Sequence, residues 1–142
     1  EILSLKEKVI DEKTLSPEQL ADKKIMLIVE DNEDVRSYIA GSFSEKYCIL
    51  QAISGVDGYK LACKYIPDII ISDVMMPEMD GYEAIQKIRA QERFRKLPII
   101  ALTAKAMKGD KAKCIEAGAN DYLSKPVDID KLVSLMRVWL YR

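Results

Sequence analysis

The chain has 142 residues, enough for one globular domain with a short appendage, and an apolar content of 49% supplies a full core rather than the composition of a disordered tail. With 22 basic and 23 acidic side chains the formal charge is -1, which argues against non-specific binding to nucleic acid or to anionic membrane. The complete absence of histidine excludes a Ser–His triad, a histidine metal cage and a phosphohistidine formed by this chain alone.

Residues 1–23 differ in character from the rest of the chain. They contain no glycine, Ile2, Leu5 and Val9 fall on one helix face, and Ser16-Pro17-Glu18-Gln19 has the form of a helix N-cap with proline at the first helical position. So few apolar residues cannot hold a core. The segment is read as a linker from an upstream domain, or as a frayed tail, and the start at Glu1 rather than methionine agrees with a piece of a longer protein.

From Ile25 onward short apolar runs alternate with amphipathic segments. Strands are predicted at 25–29, 47–50, 69–71 and 99–102, with a weaker one at 121–123; helices are predicted over 34–43, 56–65, 82–92, 107–117 and 129–140. Gly55, Gly81 and Gly118 sit near the joints, the last placed to close the fourth helix. Continuous apolar strands, each followed by a helix, imply right-handed crossovers and a parallel sheet covered on both faces, a doubly wound α/β fold. No apolar run approaches the roughly 18 residues a bilayer span needs, and no signal-peptide pattern is present. Cys48, Cys63 and Cys114 are widely separated and lie in apolar patterns, as expected of buried, reduced thiols in a cytosolic protein. Arg89, Arg93, Arg95 and Lys96 read as a solvated helix end.

In such folds the ligand site lies outside the carboxyl ends of the strands. Glu30-Asp31-Asn32 follow the first predicted strand, Ser72-Asp73 the third, Thr103-Ala104-Lys105 the fourth and Ser124-Lys125-Pro126 the fifth. Singly, each has an ordinary explanation: an Asp after a strand is commonly a turn former or a helix cap, and Lys-Pro commonly marks a turn. Jointly, if the first, third, fourth and fifth strands are neighbours, they place three carboxylates, a hydroxyl and an ammonium on one rim. Two carboxylates about 4 Å apart repel by roughly 4 kcal/mol at an effective dielectric near 20, so the group calls for a cation. An all-oxygen donor set suits Mg²⁺. The chemistry that fits is attack of Asp73 on a phosphorus centre to form an acyl phosphate, with Lys125 and Thr103 stabilising the transferred oxygens.

Residues from about 24 to 142 resemble a response-regulator receiver domain of two-component signalling. The resemblance rests on Ile28-Val29-Glu30-Asp31-Asn32, on Asp73-Val74-Met75-Met76-Pro77-Glu78-Met79-Asp80-Gly81, on Ala101-Leu102-Thr103-Ala104, on Gly118-Ala119-Asn120-Asp121-Tyr122 and on Lys125-Pro126. The last stretch, through Trp139, is similar to receivers that end hybrid sensor histidine kinases. The resemblance implies a flavodoxin-like sheet in the order 2-1-3-4-5 with five helices. It implies Asp73 as phosphoacceptor, and a metal site of Asp31, Asp73 and the Met75 carbonyl, with Glu30 acting through water. The ion would be Mg²⁺, with Mn²⁺ as a substitute. It further implies a Lys125 contact to the phosphoryl group, a cis Lys125–Pro126 bond, and a switch pair of Thr103 and Tyr122. Met75 and Lys105 would flank the approach to the site and tune the lifetime of the phosphate.

The implied partners are a histidine kinase domain or a histidine phosphotransfer protein, with weak homodimerisation and without direct contact to nucleic acid or membrane. The implied location is cytoplasmic, attached to a kinase that is itself membrane-anchored or free. The alternatives are a stand-alone response regulator and an aspartyl-phosphate phosphohydrolase; the latter needs a second Asp where Met75 stands. A flavin or nucleotide binder would want a phosphate loop where Glu30 to Asp34 place five residues with four acids. On the last helix Ile129, Leu132, Val133, Met136 and Leu140 form a core stripe, and Leu135, Val138 and Trp139 widen it. That width suits a partner surface, a dock for Ile2, Leu5 and Val9, or a Trp139 that covers the end of the core.

Overall fold

The computed structural model describes residues 23–74, 81–104 and 108–140. In chain order the elements are β1 (Lys24–Val29), α1 (Glu33–Phe43), β2 (Tyr47–Ala52), α2 (Gly55–Tyr65), β3 (Ile69–Asp73), α3 (Gly81–Arg89), a 3-10 turn (Glu92–Phe94), β4 (Ile99–Thr103), α4 (Lys108–Ala117), β5 (Asp121–Ser124) and α5 (Ile129–Leu140). The five strands are all parallel and run in the order β2-β1-β3-β4-β5. The doubly wound sheet expected from the sequence is therefore the fold observed.

Period-two alternation divides the strand residues between two cores. Met26 and Ile28 of β1, Ile69 and Ile71 of β3, and Ile100 and Leu102 of β4 pack with Ile39 and Phe43 of α1 and Leu132 and Met136 of α5. Leu27, Val29, Ile70, Ile99 and Ala101 face the other way, onto Ala62 of α2, Ile85 and Ile88 of α3, and Cys114 and Ala117 of α4. Both faces are covered, which is why the strands read as unbroken apolar runs.

Local chemistry sets the helix ends. Asn32 Oδ1 accepts from Val35 N at 3.0 Å to start α1, and Ser54 Oγ accepts from Asp57 N at 3.1 Å to start α2. Gly118, at φ 122°, closes α4: its N–H reaches Ile115 O and the Ala119 N–H reaches Cys114 O, both at 3.0 Å, the paired bonds of a Schellman motif. At the end of α2 the left-handed position holds Ile66, at φ 50° and 45% exposed, a conformation unusual for a β-branched residue. Inside α2, Gly58 lies so close to β1 that an added Cβ would stand 2.7 Å from Val29 Cγ2.

Several expectations shift. Every strand except β1 runs one or two residues further toward its carboxyl end than predicted, because ladder pairing continues to the rim: Asp73 pairs Leu102 and Thr103 pairs Ser124. Asp73 and Thr103 are thus the last residues of their strands rather than the first beyond them. The helix predicted over 82–92 stops at Arg89, since Gln91 is extended (φ -84°, ψ 131°) and a 3-10 turn follows. Arg89 is half-buried rather than a solvated side chain: its guanidinium donates to Gly118 O, Phe94 O, Arg95 O and Asn120 Oδ1 at 2.7–3.1 Å, and burial lowers its pKa. Cys48 and Cys114 are buried free thiols as expected, whereas Cys63 is half-buried. On α5, Leu132 and Met136 are buried, Val138 is exposed, and Trp139 donates from Nε1 to Asp121 Oδ2 at 3.2 Å. The proposed dock of Ile2, Leu5 and Val9 lies outside the described residues.

Candidate functional site

The carboxyl edge of the sheet collects the polar residues singled out in the sequence. Glu30 leaves β1, Asp73 ends β3, Thr103 ends β4, and Lys125 follows β5. Because β1, β3, β4 and β5 are consecutive neighbours, these positions share one rim. Backbone bonds extend the ladders into it: Val74 N donates to Leu102 O at 3.1 Å and Lys125 N to Thr103 O at 2.7 Å. The Lys125–Pro126 peptide is cis.

Glu30, Asp31 and Asp73 each present a carboxylate oxygen within 4.8 Å of the others. Glu30 and Asp73 are buried and Asp31 is exposed, so the cluster opens to solvent on the Asp31 side. Lys125 Nζ bridges the two buried acids, 2.8 Å from Glu30 Oε1 and 3.3 Å from Asp73 Oδ2. The three carboxylates therefore face one ammonium, which leaves this group of four side chains with two formal negative charges unbalanced. Burial raises the pKa of Glu30; contact with Lys125 and a bond from Asn32 N to Oε2 at 3.0 Å oppose this, and the Asp73 charge adds to it. Burial works against the Lys125 charge, but its contacts with Glu30 and Asp73 outweigh it and hold the ammonium above its ordinary pKa.

The donor set fits a small divalent cation on its own terms. Glu30 Oε1 is fully buried and, among the described residues, meets Lys125 Nζ at 2.8 Å as its polar contact. A buried carboxylate that shares one ammonium with a second carboxylate, beside a third, is an environment that suits a hard cation. Mg²⁺ prefers few protein oxygens and retained water, which the exposed Asp31 side allows.

Of the other predicted residues, Thr103 is buried at the end of β4. Tyr122 is half-buried against the core shared with α2, α3 and α4, with Lys111 Nζ 5.7 Å from its ring centroid. Met75 and Lys105, and the motif residues 76–80, lie outside the described residues. Sequence reasoning passed over Arg36 and Gln51. Arg36 stands three, four and seven residues before Ile39, Ala40 and Phe43, the buried face of α1. A charged residue at that spacing was the available signal.

The sequence pattern described as "Response regulator receiver domain" matches residues 26–137. The chain is 38% identical over 119 residues to the hybrid signal transduction histidine kinase D of Dictyostelium discoideum, covering 84% of this chain and 8% of that protein. It is 32% identical over 118 residues to the polar-differentiation response regulator DivK of Brucella ovis, covering 82% of this chain and 96% of that one. Among solved structures it superposes on the receiver domain of a sensor histidine kinase from Pseudomonas aeruginosa PAO1, which has a magnesium ion coordinated in its active-site cleft. The TM-score is 0.78 at 36% identity, over 84% of this chain and 99% of that one. Several relatives are much longer: the chain spans 8%, 44% and 54% of three of them. The carboxyl-edge acids thus occur on the fold, and within the sequence pattern, of one signalling family, and the chain belongs to the response regulator receiver domains.

Proposed function

We propose that this domain accepts a phosphoryl group onto Asp73 from the phosphohistidine of a kinase domain or a histidine phosphotransfer protein. The observation that carries the reading is the convergence of Glu30, Asp31 and Asp73 around the single ammonium of Lys125 at the carboxyl edge of the sheet. Asp31 and Asp73, with the Met75 carbonyl, would hold Mg²⁺ directly and Glu30 would hold its water; Mn²⁺ would substitute. When bound, the ion supplies positive charge to the transferring oxygens. An Asp73 carboxylate oxygen attacks phosphorus, the P–N bond to the donor imidazole breaks, and the new P–O bond is an acyl phosphate. Lys125 moves its ammonium from carboxylate to phosphoryl oxygens, and Thr103 donates its hydroxyl to one of them. Thr103 and Tyr122 then form the switch: the anion draws Thr103 inward and the Tyr122 ring follows, so phosphorylation shifts the population between two packings.

We further infer that residues 24–142 are the receiver and 1–23 a connector, within a cytoplasmic segment of a hybrid histidine kinase. The 38% identity to a hybrid kinase and the likeness to a sensor-kinase receiver support this parent. Incubation with acetyl phosphate, read by intact mass, tests the central reading. Label should require Mg²⁺, be lost with a chelator, be cleaved by hydroxylamine, and be absent from Asp73→Asn. Label that persists in Asp73→Asn would overturn it.

A further inference from the structure

Arg36 of α1 is only 7% exposed. Its guanidinium forks onto two neutral acceptors: Nη1 donates to the Glu30 carbonyl at 3.0 Å and Nε to Gln51 Oε1 of β2 at 3.1 Å. Among the described residues it has no carboxylate ion pair. A buried cation whose partners are uncharged is costly, so its place needs a reason beyond pairing.

The reason lies in which carbonyl it holds. The Glu30 carbonyl belongs to the peptide joining Glu30 to Asp31, so its orientation sets the direction in which both side chains leave the backbone. The other polar atoms of Glu30 are also held: N donates to Ala52 O at 3.0 Å, Oε2 accepts from Asn32 N, and Oε1 meets Lys125. Arg36 supplies the fourth contact and ties it to α1 and β2 together. Its positive charge by itself disfavours a nearby cation, so a gain in affinity must come from the geometry it holds. We infer that Arg36, oriented by Gln51, is a positioning residue of the acidic site. It clamps the Glu30–Asp31 peptide so that both carboxylates converge on Asp73 before any cation arrives, and so raises cation affinity. Only arginine suits the post, because one planar group must reach two acceptors in a fixed fork, which a lysine ammonium cannot do.

The inference rests on the receiver reading, and its test separates the two. Mg²⁺ binding is measured by calorimetry on the full chain, with the native protein, Arg36→Lys, Arg36→Met and Gln51→Met. Apo unfolding is measured in parallel. Arg36→Met is expected to weaken Mg²⁺ binding about tenfold, Arg36→Lys about fivefold and Gln51→Met roughly two- to threefold. In the metal-free protein the amide of Asn32, which bonds Glu30 Oε2, should exchange faster in all three. At saturating Mg²⁺, acetyl-phosphate labelling of Arg36→Lys should return to within about threefold of native. Native Mg²⁺ affinity in Arg36→Lys and Gln51→Met, with only the unfolding midpoint changed, would make the arginine purely structural and overturn the inference. Failure of the native chain itself to bind Mg²⁺ would instead overturn the receiver reading.

Discussion

The two edges of the sheet carry the same residue types and use them oppositely. At the amino edge each acid or amide meets a donor. Asp68 accepts from Ile25 N at 2.7 Å, Asn120 Oδ1 accepts from Ile99 N at 2.8 Å and from Arg89, and Asp121 accepts from Trp139 and from Tyr122 N. At the carboxyl edge three carboxylates gather around one ammonium, which contacts both buried acids, and Glu30 also accepts from Asn32 N. Carboxylate count does not distinguish a structural edge from a reactive one; the supply of N–H donors does. The amino edge uses its polar groups to pin strand starts, whereas the carboxyl edge gathers like charges around one lysine, the arrangement the proposed cation would relieve.

The largest effect on this contrast is expected from Asn120→Ala. It orphans the buried Ile99 N–H and one arm of Arg89, costing about 2–3 kcal/mol in urea unfolding, with Mg²⁺ affinity unchanged within roughly twofold. A parallel loss of affinity would show that the two edges are not independent.

Glu30→Gln should do the reverse. It removes a charge that burial disfavours, so the metal-free protein gains about 1 kcal/mol at neutral pH, a rise of roughly 3–5 °C in Tm, while Mg²⁺ binding weakens. The sign follows from linkage. The folded-state pKa of Glu30 is raised, so its protonated form is the one the fold favours. Its contribution is present below the ordinary carboxylate pKa and lost as pH rises through the folded value. The advantage of Glu30→Gln should therefore be greatest at neutral pH and shrink on acidification. Lys125 behaves in the opposite range: its raised pKa makes its contribution full below the ordinary lysine value and lost only in alkali. Thermal scans of native protein and Glu30→Gln in chelator, from about pH 5 to about pH 7, check the sign; a difference that grew toward acid would contradict it.

An effect of similar size on stability, without any on charge, belongs to the turn that leads into β3 at the amino edge. Ile66→Gly should stabilise by about 1 kcal/mol, since the left-handed residue is half out of the core and gives up little burial. A loss instead would mean that Ile66 packs more than its exposure indicates.

The parts of the fold legible in the sequence are those where one physical cause dominates. Residues 25–29 and 99–102 read as strands because both faces are buried, and Gly118 reads as a helix end because its conformation admits few other residues. The acids and Lys125 were legible as a set because the topology sends every strand's carboxyl end to one rim. What escaped depends on partners distant in the chain. Arg89 looks like a surface cation until Gly118 and Asn120, about thirty positions on, fold over it. Gln51 looks like the residue after a strand until Arg36 of α1 reaches it.

Gly58 has a practical consequence for anyone adjusting this domain. It occupies the slot through which α2 rests on Val29, one residue upstream of the first acid. A single methyl added there presses on the base of the reactive turn while leaving every charge in place. The distance between helix and strand is thus held from behind the site, by a residue that carries no side chain.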